Sequence, residues 1–347
     1  MNILHIMQKI SGTIIPVEIA SAVDALSGIN SKIVSKEPLP QTLPDTVGKK
    51  QLLSDMCGFN SYRLLVNSIQ TDYDLIHTHK IGPGSRVGYA LLNSELPLLN
   101  TQHGHIHYTW PEKIKNIPVL TTSDHLIYNS KTNKGSYTEI ENLFKTSASE
   151  YLIYNGVNVE KTKGYQSTIG EVSTIITAAS LIRRKNIKNL IKSLTHLDDV
   201  TLKIIGDGPR EAQLRDLARE LNVIAQVEFL GFLPHREQVY REFAAADVFA
   251  LPSHGEGFCV AATEAMAIGL PVVVSDIPIF HEIVGNSGLF VDRYSPRDIA
   301  EAIDSLIENR PLAQELGERN RQRILEHFTL NRCAQVHKEV YSAILSD

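Results

Sequence analysis

Short apolar, β-branched runs alternate with segments of helical spacing along nearly the whole chain, and no other feature constrains the fold as tightly. In the first half the pattern predicts strands near Ile3–Met7, Lys32–Ser35, Leu75–Thr78, Leu98–Thr101, His125–Tyr128 and Tyr151–Tyr154, with helical spacing between several of them, as in Val17–Leu26 and Ser85–Asn93. The second half repeats the theme. Strands are predicted near Val172–Thr177, Thr201–Ile205, Val227–Phe229, Val248–Leu251, Val272–Ser275 and Gly288–Val291, and helices near Ile187–Leu194, Arg210–Leu221, Val260–Ala267 and Pro296–Glu308. Such alternation is the sequence form of βαβ units, because parallel neighbours need a crossover connection. The expected class is therefore α/β, with mostly parallel sheets covered on both faces.

A chain of 347 residues exceeds what one hydrophobic core usually fills, so two doubly wound sheets are expected. The polar stretch Asn155–Gly170, with Gly156, Gly164 and Gly170, reads as the connection between them. Basic residues change in kind at the same place: 13 Lys and 2 Arg precede residue 165, whereas 5 Lys and 14 Arg follow it. The expected division is a first domain over 1–160, a second over 161–328, and a C-terminal helix over 329–347. That last helix has no strand partner and is free to cross back to the first domain.

No apolar run approaches the ~18–20 residues that span a bilayer, and the first ten residues lack the charged and apolar regions of a secretory signal. The start reads as a first strand. Cys57, Cys259 and Cys333 are odd in number and form no CxxC pair, which suits a reducing compartment and offers no metal knuckle. A cytoplasmic location is expected. With a net charge of −5, nucleic acid is not an expected partner.

Open α/β sheets bind ligands at loops leaving the carboxyl ends of strands, yet the usual nucleotide fingerprints are missing. Only Gly12 stands in the loop after the first strand, so there is no GxGxxG, and no GxxxxGK[ST] occurs anywhere. Gly82-Pro-Gly-Ser-Arg-Val-Gly88 has one residue too many before its last glycine and reads as a turn at a helix start. Gly206-Asp207-Gly208-Pro209 follows a strand and opens a helix, where free backbone N–H groups suit an anion. The most informative stretch is Ser253–Asp276. A turn brings Glu256 to the sheet edge, a helix carries Glu264, and a second strand follows Gly269. At a rise of ~1.5 Å per helical residue the two carboxylates are expected roughly 10–12 Å apart, about the length of a nucleoside diphosphate.

The spacing Glu256–Glu264 and the run Glu264-Ala-Met-Ala-Ile-Gly-Leu-Pro-Val-Val273 resemble the hallmark segment of the retaining nucleotide-sugar glycosyltransferases of family 4. The likeness extends through Lys185-Asn-Ile187, Gly206-Asp-Gly-Pro209, Phe229-Leu-Gly-Phe-Leu-Pro234 and Ala245-Ala-Asp-Val-Phe-Ala-Leu-Pro-Ser253. It is thinner in the first half, at Gly12, Asp74-Leu-Ile-His-Thr-His79, His103-Gly104 and Asn155-Gly-Val157. The resemblance implies a GT-B fold of two facing Rossmann-like domains with a cleft between them. It implies a nucleoside diphosphate sugar as donor substrate, no cofactor, and a saccharide or lipid-linked saccharide acceptor held mainly by the first domain.

The same resemblance assigns residues. Glu264 accepts from the ribose hydroxyls, backbone at Leu233 meets the base, and Arg184 and Lys185 face the diphosphate. Glu256 and the N–H groups of Gly257, Phe258 and Cys259 sit by the transferred sugar, with Val260 opening the helix. Asp207 lies in the donor-side loop, Gly12 lets its loop approach the donor closely, and His103 touches the sugar or the acceptor. Ser180 stands where the family usually has an arginine, five residues before the phosphate lysine, so either Arg183 or Arg184 supplies the missing charge or donor binding is weaker.

His77 and His79, with His103, His105 and His107, have strand-face spacing, but a zinc site needs three or four convergent ligands and no metal is expected. Asp72-Tyr-Asp74 resembles a cation-binding DxD, yet it precedes a first-domain strand, where turn carboxylates are the simpler use. Trp110 reads as a loop residue in packing, with sugar stacking or a lipid interface as the alternatives. Lys131–Lys145 reads as a solvated helix, with peripheral contact to an anionic membrane face as the alternative. A nucleotide-sugar epimerase or phosphorylase, or a non-catalytic donor-binding subunit, would share the fold.

Overall fold

All strand pairings are parallel among the residues that this computed structural model describes, which are 1–7, 15–35, 48–52, 72–79, 95–104, 109–145, 148–167 and 173–346. In chain order the strands are β1 (Asn2–Met7), β2 (Asn30–Ser35), β3 (Gly48–Leu52), β4 (Leu75–His79), β5 (Leu98–Gln102), β6 (His125–Tyr128), β7 (Ser149–Leu152), β8 (Ser173–Ala178), β9 (Val200–Ile205), β10 (Val227–Gly231), β11 (Val248–Leu251), β12 (Val272–Ser275) and β13 (Leu289–Val291). The helices are α1 (Ile15–Asp24), α2 (Trp110–Thr122), α3 (Lys131–Lys134), α4 (Glu139–Leu143), α5 (Val159–Thr162), α6 (Ile187–Ser193), α7 (Glu211–Glu220), α8 (Arg236–Ala244), α9 (Val260–Ile268), α10 (Pro278–Val284), α11 (Pro296–Glu308), α12 (Arg310–His327) and α13 (Leu330–Ile344). The chain forms two units, 1–156 with 330–347, and 157–329.

The first unit holds a seven-stranded sheet in the order β3-β2-β1-β4-β5-β6-β7. Its central strands are buried on both faces, which is why Ile3, Leu4, Ile6 and Met7, like Leu75 and Ile76, run as nearly continuous apolar stretches. Helix α1 packs Val17 and Ala20 against Met7 and Ile33. The C-terminal helix α13 belongs to this unit and buries Cys333, His337 and Tyr341 in it.

The second unit holds six strands in the order β10-β9-β8-β11-β12-β13. From β8 the chain winds outward through β9 to β10, then returns to lay β11, β12 and β13 on the other side. The strand order therefore reverses between β8 and β11, and in the first unit between β1 and β4. Open α/β sheets leave a ligand crevice outside the carboxyl ends of the strands at such reversals.

Three elements depart from the sequence expectation. Trp110 begins a helix instead of standing in a loop: Pro111 suits a first turn, while Pro118 within the same helix reads as a breaker. Lys131–Lys145 forms two short helices broken after Lys134, not one solvated helix, and Lys145 is buried beside Tyr137 and Glu150. The polar stretch after Asn155 carries α5. The expected helix at Ser85–Asn93, the turn at Gly82–Gly88 and Gly12 lie outside the described residues.

Candidate functional site

The reversal between β8 and β11 brings two loops together. β11 ends just before Pro252, whose carbonyl accepts from Asn186 Nδ2 at 2.8 Å, while Ser275 Oγ at the end of β12 donates to the Ser253 carbonyl at 2.6 Å. The turn so anchored delivers Glu256 into the interior, 4% exposed. Its Oε1 accepts from Lys185 Nζ at 2.7 Å and from Ser253 Oγ at 2.6 Å; Oε2 accepts from Arg184 Nη1 at 3.1 Å. Arg184 also donates to the Gly255 carbonyl at 2.8 Å, and His254 N–H donates back to the Arg184 carbonyl at 2.8 Å. One carboxylate thus locks the loop after β8 to the loop after β11.

Burial by itself would raise the Glu256 pKa. The neighbouring Lys185 and Arg184 charges, with hydrogen bonds from Lys185 and Ser253, outweigh it and hold the carboxyl below its ordinary value. Glu256 is therefore an anion at neutral pH and cannot act as a general acid. Two cations at the carboxyl end of β8 are the groups that a departing diphosphate needs.

Helix α9 starts immediately after this turn. Its N-cap, Cys259, has φ 66° and ψ 72°, a left-handed conformation that costs an L-residue roughly 1–2 kcal/mol and that clusters at functional sites. Residues 262–268 of α9 are all buried, so the helix is enclosed by the unit on every side beyond its first two residues. Glu264, on the second turn, is 4% exposed. Tyr240 Oη donates to its Oε1 at 3.1 Å and Arg236 Nη1 to its Oε2 at 3.1 Å, both from α8.

The loop after β9 completes this edge. Gly206 has φ 121° and a Cβ there would stand 2.1 Å from the Ala179 carbonyl oxygen; Gly208 has φ 155° and its Cβ would meet Leu181 backbone at 2.7 Å. Glycine is needed because two loops touch backbone to backbone, joined by Leu181 N–H to the Asp207 carbonyl at 2.7 Å. Asp207 itself is exposed, Leu233 is half-buried and Phe232 is exposed at the end of β10. Arg183 is exposed, while Arg184 supplies the second cation on Glu256.

Sequence reasoning missed Ser253, Asn186, Arg236 and Tyr240. The first two lie inside motifs quoted for other residues. Arg236 and Tyr240 are four apart on α8, a spacing that puts both on one helix face, but only the tertiary fold shows that the face meets Glu264.

In the first unit the reversal between β1 and β4 carries a layer of histidines. Ring nitrogens of His5, His77 and His79 lie within 4.8 Å of one another, all three fully buried. His77 already has two partners, Tyr341 Oη at 2.6 Å and Thr101 Oγ1 at 2.7 Å, which satisfy both nitrogens of a neutral ring. His5 Nδ1 faces His79 Nε2 at 3.0 Å, and His79 Nδ1 faces His103 Nε2 at 3.4 Å. A cation held by His5, His77 and His79 together would have to break the His77 pairs. His105 and His107 lie outside the described residues. Asp74 accepts from the Asn2 N–H at 2.7 Å, a turn use, and Trp110 is half-exposed. Among the described residues no helix is long and apolar enough to cross a membrane.

Two parallel doubly wound sheets, each with its strand order reversed at one point, are the architecture of the GT-B fold. Residues 160–323 match the family model described as glycosyl transferases group 1. An uncharacterized glycosyltransferase of Methanocaldococcus jannaschii is 29% identical, over 82% of this chain and 80% of that protein. The O-antigen biosynthesis glycosyltransferase WclY of Escherichia coli is 25% identical, over 79% of this chain and 80% of that protein. The solved structure of HepE from Anabaena in complex with UDP-glucose matches with a TM-score of 0.82 at 17% identity, over 99% of this chain and all of that one.

Proposed function

We propose that this protein is a retaining glycosyltransferase that moves a sugar from a nucleoside diphosphate donor to a saccharide or lipid-linked saccharide acceptor, without a metal ion or cofactor. The observation that carries this reading is the Lys185–Glu256–Arg184 cluster at the β8/β11 reversal, two cations fixed by one buried carboxylate. The family match and a relative named for O-antigen biosynthesis support a saccharide product. The HepE complex, matched on fold, supports a UDP-sugar class of donor.

In this reading Lys185 and Arg184 take the diphosphate, the N–H groups of Gly257, Phe258, Cys259 and Val260 take oxygens beside it, and Glu256 orients the cations and the sugar. Glu264 accepts from the ribose, Leu233 backbone meets the base, and Asp207 shapes the donor-side loop. The anomeric carbon–oxygen bond to the diphosphate breaks as the acceptor oxygen attacks from the same face, and the acceptor proton passes to the departing phosphate oxygen. The fixed cations stabilise the charge that develops on the leaving group. Arg184 fills the role of the arginine that Ser180 replaces.

The test is transfer from a panel of UDP-, GDP- and ADP-sugars with the product anomer read by NMR. Retained configuration, with activity unchanged by a chelator, is expected. An inverted product, or chelator inhibition reversed by a divalent ion, would contradict retention or metal independence respectively.

A further inference from the structure

We propose that the loops after β8, β11 and β13 form a subsite for an acidic sugar, in which Arg183 and Arg293 take a carboxylate or phosphate substituent and the Tyr294 ring takes the apolar face of the sugar. The proposal deepens the reading of the adjoining Lys185–Glu256–Arg184 cluster as a sugar-transfer site, and rests on it: one of the two sugar substrates is anionic.

Three strand ends converge here. Arg183 begins the turn after β8, His254 lies in the turn after β11, and Arg293 and Tyr294 follow β13. Asn186 and Asn189 each donate to the Arg293 carbonyl at 2.8 Å, and Asn186 donates to the Pro252 carbonyl at 2.8 Å as well, so the three loops are tied together through their backbones. His254 N–H donates to the Arg184 carbonyl at 2.8 Å, which joins this corner to the cluster on Glu256. The rings of His254 and Tyr294 stand 5.4 Å apart, and the Arg293 guanidinium lies 4.9 Å from the centre of the Tyr294 ring.

Neither guanidinium has an anion among the described residues. Arg183 is exposed, and its side chain makes no hydrogen bond or ion pair with any of them. Arg293 reaches the Asp276 carbonyl at 3.4 Å, and its buried Nε has no partner among them. The acids nearby are already engaged: Asp276 by His281 at 2.6 Å, Asp292 by the Tyr294 N–H at 2.9 Å, and Glu256 by Lys185, Arg184 and Ser253. Burial, with the Arg293 and Arg183 charges, lowers the His254 pKa below its ordinary value, so the ring between the two arginines is neutral at neutral pH and adds an N–H donor. Guanidinium groups match the oxygens of a carboxylate or phosphate, and a tyrosine ring left 65% exposed beside them offers an apolar face. A neutral hexose would leave both charges without a counterpart.

The experiment is calorimetric binding to the full-length chain of probes that differ at the acidic position, each in gluco and galacto configuration. One set compares UDP-hexuronates with UDP-hexoses; the other, with UDP present, compares methyl hexuronosides and hexose 6-phosphates with methyl hexosides. In at least one set the acidic member should bind about five- to tenfold tighter; the first set places the acid on the donor, the second on the acceptor. Arg183→Gln, a change at an exposed side chain, should bring that ratio near unity and leave the Kd of the neutral probe unchanged. Arg219→Gln, the same charge change on α7, should leave the ratio as it is. Equal Kd values for acidic and neutral probes in both sets, or a ratio that survives Arg183→Gln or falls equally in Arg219→Gln, would overturn the proposal. If no activated sugar binds, the donor reading fails, and the second set, repeated without nucleotide, still decides the subsite.

Discussion

Lys185 Nζ lies 2.7 Å from Glu256 Oε1, joining the loop after β8 to the loop after β11 across the point where the strand order of the second unit reverses. Both side chains are largely withdrawn from solvent, at 13% and 4% exposure, and Glu256 is the anion that Lys185 shares with Arg184.

Removing one partner should therefore affect folding and chemistry together. Glu256→Ala leaves Lys185 and Arg184 side by side without their anion, and breaking a buried pair costs about 3–5 kcal/mol. Glu256→Gln keeps the shape and acceptor oxygen and should fold with a smaller loss of Tm. Both variants should lose on the order of a hundredfold or more in kcat. Near-normal transfer by Glu256→Gln, measured alongside its melting curve, would remove the carboxylate from the mechanism.

Glu264 should act on affinity more than on turnover. Losing hydrogen bonds to a charged acceptor costs about 1.5–3 kcal/mol, so Glu264→Ala should raise the Kd for the nucleotide roughly tenfold or more by calorimetry, with kcat at saturation less affected. Tyr240→Phe, which removes only the 3.1 Å hydrogen bond to Oε1, should move Kd the same way by a smaller factor. Equal Kd values for all three proteins would contradict this role.

The first unit should be the acid-labile half. Burial lowers the pKa of His337 to about 4, and burial together with nearby His337 lowers that of His5 to about 3, from an ordinary 6.5. Between those values the unfolded chain binds protons that the folded unit refuses, so stability from these residues is complete above about pH 6.5 and declines as the pH falls toward 4 and then 3. Hydrogen exchange compared at about pH 7.5 and about pH 5 should show β1 and β4 losing protection while β8 and β11 keep theirs. Equal loss in both sheets would count against the buried neutral histidines.

Cys259 and Cys333 should be inert. Burial pushes both thiols up to about 12, so the thiolate is scarce near neutral pH. Peptide mass spectrometry after iodoacetamide treatment of the native protein at about pH 8 should find both unmodified, and full labelling only in denaturant. Rapid native alkylation of Cys259 would show that the start of α9 opens.

Sheets were legible from sequence because both faces are buried: β1, β11 and β12 are written as nearly continuous apolar runs, and their alternation with helical segments implies parallel pairing. β3 was not legible. Its run Gly-Lys-Lys-Gln-Leu carries neither alternation nor β-branched residues. In the candidate site, Glu256, Glu264, Arg184 and Lys185 were legible because one carboxylate turn and one basic loop sit at strand ends. The partners that fix them were hidden. Tyr240 and Arg236 look like ordinary helix residues, and a contacting row such as His5–His79–His103 appears only once β1, β4 and β5 are aligned side by side.

Calorimetric binding of a panel of UDP-, GDP- and ADP-sugars to the wild-type chain and to Lys185→Met tests the central claim most directly. At least one donor should bind the wild type, and its Kd should rise more than about tenfold when the cation beside Glu256 is lost. No binding by any activated sugar, or binding indifferent to Lys185, would contradict the account.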